Sequence, residues 1–219
     1  MMNPCKLITD TFEIRDGRKV YDFKRCLAYL KCQGKEHYGQ TFKINILDVP
    51  TIYKLVVYMI QDADAARKEG LDLKKGLLLT GPVGCGKTSL MHLLRPFTGK
   101  QADYKIKTCR ELSFDFAKNG FDALQPYTQK QPYQRRLSGY CFDDLGAEQQ
   151  IKHYGTDCNV MAEVLISRYE EFVANETLTH LTSNLSATEI EGLYGNRVRS
   201  RMRNMFNLIS FHISSNDKR

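Results

Sequence analysis

Residues 81–88 read Gly81-Pro82-Val83-Gly84-Cys85-Gly86-Lys87-Thr88 and meet every fixed position of G-x-x-x-x-G-K-[ST]. Glycines at these places let a loop wrap with its backbone N–H groups turned inward, and a helix starting directly behind adds the positive end of its dipole. Such a loop cradles phosphate oxygens. Lys87, its only side-chain cation and expected at a solvent-facing helix start, would reach the β and γ phosphates of a nucleotide. The Thr88 hydroxyl would be a hard oxygen ligand for Mg²⁺. The nucleotide-binding candidates are thus Gly81, Pro82, Val83, Gly84, Cys85, Gly86, Lys87, Thr88 and Ser89. Cys85 reads as a small side chain at a permissive position rather than as a redox group. A chance glycine turn is the competing reading, and the apolar run before the loop and the helical pattern after it argue against that.

A second stretch, Tyr140-Cys141-Phe142-Asp143-Asp144-Leu145-Gly146, is an apolar strand ending in two carboxylates. Asp143 would hold Mg²⁺, directly or through water, and Asp144 would polarise an attacking water, a task that needs no unusual pKa. Taken alone, a solvated Asp-Asp turn would explain the same residues. Leu181-Thr182-Ser183-Asn184 ends another strand in an amide able to bond both that water and a phosphate oxygen, although Asn after a strand is commonly a turn residue. Downstream, Tyr194-Gly195-Asn196-Arg197-Val198-Arg199-Ser200-Arg201-Met202-Arg203 sets Arg197 and Arg201 four apart on one helical face. Arg199 and Arg203 form a parallel pair. A guanidinium entering a neighbouring subunit's site would stabilise transferred charge; the same segment could instead be a solvated basic face or lie along a nucleic-acid backbone.

The elements that must position these groups follow from periodicity. Short apolar strands are expected at Gly76 to Thr80, Tyr104 to Thr108, Gly139 to Phe142, Leu178 to Thr182 and Leu208 to His212. Helices alternate with them at about Lys87 to Arg95, Arg110 to Lys118, Cys158 to Ala174, Ala187 to Tyr194 and Asn196 to Met205. The fourth opens on a capping box, Ser186 with Glu189. This alternation predicts a three-layer α/β core around a parallel sheet over residues 74–219. Residues 1–73 read as a small, mostly helical extension for assembly or partner binding. In it, Val20, Phe23, Leu27 and Leu30 mark a helix ending near Gly34, Thr41 to Ile46 alternates as a strand, and Asp48 with Pro50 opens a helix closed by Gly70. Gln125 to Pro132 is polar and reads as a linker.

The ordered set GPVGCGKT, CFDDLG, LTSN and YGNRVRSRM resembles the AAA+ ATPases of the bacterial helicase-loader group, which includes the transposition ATPases of insertion sequences. The resemblance spans Lys74 to Arg219 and implies a P-loop NTPase fold with ATP and Mg²⁺ as ligands. It makes Asn184 the first sensor and Arg201, the second arginine of G-x-R-x-x-x-R, the finger that serves a neighbouring protomer. Arg219 would stand in the second sensor's place, and Arg168 matches a further arginine near subunit interfaces. Self-association is therefore implied. The sequence ends soon after the fifth expected strand, so no C-terminal lid domain is expected. Residues 1–73 match no helicase-binding extension of loaders.

Composition sets the limits on function. With 219 residues, 42% hydrophobic and 26% charged, the chain can bury a core and fits neither a disordered nor a fibrous class. Its apolar runs fall far short of the roughly 20 residues that cross a bilayer. Seven cysteines, an odd number without a C-x-x-C pair, point to reduced thiols and a cytoplasmic protein. A net charge of +7 favours an anionic partner. Lys130, Arg135, Arg136, Arg199 and Arg203 would line a phosphate-tracking surface for DNA, single-stranded DNA included. The expected activity is ATP hydrolysis, with Lys87, Asp144, Asn184 and Arg201 as catalytic residues and Thr88 and Asp143 as metal ligands. The expected role is in DNA replication or mobile-element transposition, acting on a partner protein. The alternatives are a nucleotide-gated adaptor with little hydrolysis and a P-loop kinase for a small molecule, whose arginine-rich lid has no counterpart here.

Overall fold

A computed structural model of the chain describes residues 6–99, 102–130, 137–148, 151–153 and 156–212. The described residues form two compact units, one within 6–71, 82–99 and 211–212, the other within 72–81, 102–130, 137–148, 151–153 and 156–210.

The first unit opens with a hairpin, β1 (Phe12–Arg15) and β2 (Arg18–Tyr21), paired in antiparallel register. Asp16 and Gly17 turn it, both at positive φ, as an Asp-Gly hairpin turn requires. Val20, expected on a helix, therefore lies in β2. Helix α1 (Phe23–Tyr38) starts only after Asp22, whose carboxylate accepts the Arg25 N–H at 2.9 Å. It also runs past Gly34, which is buried because the Phe42 ring fills the space a side chain would take, 2.1 Å from an ideal Cβ. Residues 41–46 form no strand. Asn45 instead accepts the Leu47 N–H at 3.1 Å and caps a short 3₁₀ turn, Ile46–Asp48. The helix expected up to Gly70 is two, α2 (Val49–Met59) and α3 (Ala63–Lys68), because Gln61 turns left-handed and Asp62 starts a new cap on the Ala65 N–H. Helix α4 (Lys87–Leu94) packs with α1 and α2 around Leu30, Ile52, Leu55, Met91 and Leu94, all fully buried.

The second unit holds the parallel sheet. Its elements are β3 (Gly76–Thr80), β4 (Tyr104–Thr108), α5 (Cys109–Asn119), α6 (Gln125–Thr128), β5 (Gly139–Leu145), β6 (Ile151–His153), β7 (Thr156–Cys158), α7 (Val160–Asn175), β8 (Thr179–Ser183), α8 (Ala187–Met205) and β9 (Phe206–Ser210). Strand order is β4-β5-β8-β3-β9, every neighbour parallel. The inner strands are buried almost throughout rather than on alternate residues, the pattern of central strands in a parallel sheet. The outer strands are less covered: β4 is buried only at Tyr104, and β9 leaves Leu208 and Ser210 exposed. Strand β9 begins two residues before its expected start because Asn207, polar and outside the apolar pattern, is buried and bonded to the segment before β3. Its amide donates to the Asp72 and Gly76 carbonyls and accepts the Asp72 N–H. A small antiparallel hairpin, β6 with β7, stands where Cys158 was expected to open a helix. Part of the expected linker is α6, whose Tyr127 is buried against Tyr140 and Phe142. The capping box before α8 forms in both directions, 2.8 and 3.3 Å. Among the described residues no helix is long and apolar enough to cross a membrane, and six cysteines are free thiols.

Candidate functional site

Parallel order brings the carboxyl ends of β3, β5 and β8 to one edge of the sheet, the edge at which open α/β sheets bind ligands. Gly81 leaves β3 there, Asp143 and Asp144 end β5, and Asn184 follows β8. On a regular strand successive side chains point to opposite faces, so Asp143 and Asp144 could not share a task. The register against β8 shifts between Phe142 and Leu145, and Asp144 takes φ 63°, which re-aims its side chain. Non-glycine residues held at positive φ cluster at functional sites.

Thr182 holds this bend in place. Its buried hydroxyl donates to Asp143 Oδ1 at 2.7 Å and accepts the Asp144 N–H at 2.9 Å. Ser183 donates to the Leu145 carbonyl at 2.8 Å, and Asn184 donates to Asp144 Oδ1 at 3.1 Å. The two residues expected to orient water, Asp144 and Asn184, are thus hydrogen-bonded to each other. Asp143 is 5% exposed, fixed on one oxygen by Thr182. Thr182 and Ser183 were not among the expected site residues, and the signal was available: two hydroxyls at the end of an otherwise apolar strand.

In the first unit, Gly86 starts α4 in a left-handed conformation, φ 95°, with no side-chain cap on the helix. Gly84 also lies at positive φ. Lys87 is not solvent-facing: it is 6% exposed, and its ammonium donates to the Pro82 carbonyl at 2.9 Å beside the Cys85 sulfur at 3.8 Å. Cys85 is fully buried, while Thr88 and Val83 are exposed and Ser89 is partly so. A helix start without a side-chain cap, a lysine inside the loop and an exposed threonine suit a phosphate chain with a hard divalent cation.

The arginines divide into different roles. Arg201 is half-buried over the Tyr169 ring at 4.9 Å, and its Nη1 is buried with no hydrogen-bond partner. Arg197 and Arg203 are exposed, and Arg199 pairs with Glu191. Lys130 is ion-paired with Glu171 at 3.4 Å, so two of the five cations expected on a phosphate-tracking surface have acidic partners. Arg135, Arg136 and Arg219 lie outside the described residues.

Arg168 is a correction. It is fully buried, donating to the Thr179 hydroxyl and to the carbonyls of Tyr127, Ser138 and Leu178 at 2.7–3.1 Å, between the Tyr140 and Phe142 rings. It therefore belongs to the interior of its own chain, not to a subunit surface. Burial pulls its pKa down to about 10, which leaves it charged at neutral pH. Arg168→Ala should lower unfolding free energy by about 3 kcal/mol, because carbonyls are left unsatisfied in the interior. An unchanged urea midpoint would return the residue to a surface role.

No protein-family model and no curated protein matches this chain. Among solved structures it is similar to the DnaC helicase loader, TM-score 0.54 at 17% identity, over 79% of this chain and 95% of that one. It is also similar to DnaI, TM-score 0.52 at 21% identity, over 78% and 88%. The shared fold is a five-stranded parallel sheet with flanking helices, an α/β fold of the P-loop NTPase kind.

Proposed function

We propose that this chain binds ATP with Mg²⁺ on residues 81–89 and hydrolyses it, as a DNA-associated ATPase that delivers or regulates a replication or mobile-element protein. The observation that carries the reading is the bonded set Asp143, Thr182, Asp144 and Asn184, at the sheet edge where β3 runs into the phosphate loop. A fold shared with a helicase loader supports the replication role.

In this reading the loop N–H groups and Lys87 hold the phosphates, with Lys87 exchanging the Pro82 carbonyl for phosphate oxygen. Thr88 and Asp143 would hold Mg²⁺, which when bound neutralises charge developing on the phosphate oxygens. Asp144, kept in line by Asn184, turns the attacking water and accepts its proton. Arg201 of a second copy stabilises the transferred charge, which makes turnover depend on self-association. Its Nη1 has no hydrogen-bond partner within its own chain.

The test is phosphate release by the full chain with Mg²⁺ and ATP, with and without single-stranded DNA, beside Lys87→Met. Methionine is chosen because Lys87 is buried and alanine would leave a hole. We expect turnover that responds to DNA, and an ATP affinity about 10–100-fold weaker in the variant, the worth of one charge-assisted contact. Tight binding without turnover would select the nucleotide-gated adaptor, and phosphate transfer to a small molecule the kinase. Unchanged affinity in folded Lys87→Met would remove the loop from the site.

A further inference from the structure

Beyond Asp144 the chain turns tightly. The Ala147 N–H returns to the Asp144 carbonyl at 3.0 Å, with Asp144 and Gly146 both at positive φ. Glu148 closes the turn with both carboxylate oxygens engaged. One accepts the Gly146 N–H at 2.8 Å, and the other accepts the hydroxyl of Tyr194. Gly146 has no room for a side chain, since an ideal Cβ would lie 2.5 Å from Leu185. The turn is therefore held against the segment after β8 as well as against α8.

Tyr194 stands at the break in α8. The next residue, Gly195, has φ 82° and ψ 161°, so the helix before it does not continue rigidly into the stretch bearing Arg197 and Arg201. Besides the Glu191–Arg199 pair, which spans the break, the junction is tied at two points among the described residues. Tyr194 bonds Glu148, and the Leu193 carbonyl accepts the side-chain N–H of Asn159, which also caps α7 through the Ala162 N–H. Of these two ties, only the first leads back to the loop of Asp144. Tyr194 is 8% exposed, and burial together with the Glu148 carboxylate raises its pKa, so it stays a neutral donor.

We propose that the Tyr194–Glu148 hydrogen bond links the Asp144 turn to the arginine segment, making Tyr194 and Glu148 positioning residues for the arginine that serves the neighbouring protomer. The inference rests on the hydrolysis and trans-arginine reading above. A carboxylate anchored on both oxygens cannot swing freely, so displacement of the turn that carries the water-orienting residue displaces Tyr194 and the break beside it. The occupancy of one site is thereby felt by the arginine offered to the next.

Tyr194→Phe removes one hydroxyl and nothing else. In the full chain it should keep the wild-type ATP affinity and stay folded with a lower thermal midpoint, since a buried acceptor loses its donor, while turnover of the folded variant falls about tenfold, the pattern of an interaction needed only in the transition state. Glu148→Gln should behave alike, and the double variant should be no slower than either single one, as members of one link are. Mixed with Asp144→Asn, the Tyr194→Phe chain should exceed the rate of both components, because the mixed interface takes its arginine from a chain whose link is intact. A residue that merely stabilised the fold would leave turnover of the folded variant unchanged and gain nothing from mixing. Wild-type turnover with a silent Tyr194→Phe, or a mixture no faster than its components while subunits exchange, overturns the link alone. A wild-type chain that binds ATP and never turns it over overturns the hydrolysis reading and the link together.

Discussion

Arg201→Ala keeps ATP affinity and loses hydrolysis by about 10³-fold, the scale of an arginine that stabilises a phosphoryl-transfer transition state. A guanidinium suits the task because it is always charged and can bridge two phosphate oxygens. In the free chain its guanidinium lies over the Tyr169 ring and one of its nitrogens is buried without a hydrogen-bond partner. Removing it should therefore cost the fold little, as no internal hydrogen bond of that nitrogen is lost. Mixing Arg201→Ala with Asp144→Asn should restore part of the activity, since one of the mixed interfaces pairs an intact Asp144 with an intact Arg201. A mixture as inactive as its components, with exchange of subunits demonstrated, would make Arg201 a residue of its own site or of a basic DNA-binding helix.

Asp144→Asn retains ATP and Mg²⁺ but loses turnover, by about 10²–10⁴-fold if the carboxylate takes the proton of the attacking water. The backbone makes this a clean substitution. Asp144 sits at φ 63°, a conformation that asparagine also accepts, and its N–H to Thr182 does not depend on the side chain. The amide oxygen can still accept from Asn184. What disappears is the negative charge. Asp143→Asn should instead weaken Mg²⁺-dependent binding, because Asp143 is the carboxylate assigned to the metal. Titrations of ATP with and without Mg²⁺, beside steady-state turnover, separate the two. If Asp143→Asn spares the metal and is the milder in hydrolysis, the roles of the two aspartates must be exchanged.

The sequence by itself determined the parallel α/β core. Strands at Gly76–Thr80 and Tyr104–Thr108 coincide with expectation, because continuous apolar runs bounded by turn residues have few other ways to be buried. The positions of Gly81, Asp143, Asp144 and Asn184 were legible for the same reason: each ends or follows a strand, and local order alone brings it to the carboxyl edge. Short elements whose identity depends on a partner were not legible. The β1–β2 hairpin has four residues a side, and Val20 fits a helical period as well as a strand's; only the Asp16-Gly17 turn distinguishes them. Gly34 looked like a helix stop, yet it is a slot for a ring eight residues away.

Tertiary structure alone decided which polar groups meet. Thr182 lies 39 residues from Asp143, and Tyr194 lies 46 from Glu148, distances at which no periodicity carries information. The same holds for burial of charge. Arg168 and Lys87 are both cations on helices, and nothing in their spacing says that one is walled in by carbonyls and the other turned into its own loop. Hydrophobic pattern dictates which face of an element is covered, whereas the partner of a buried donor is whichever acceptor the packed backbone happens to leave open, and that exists only once the chain has folded.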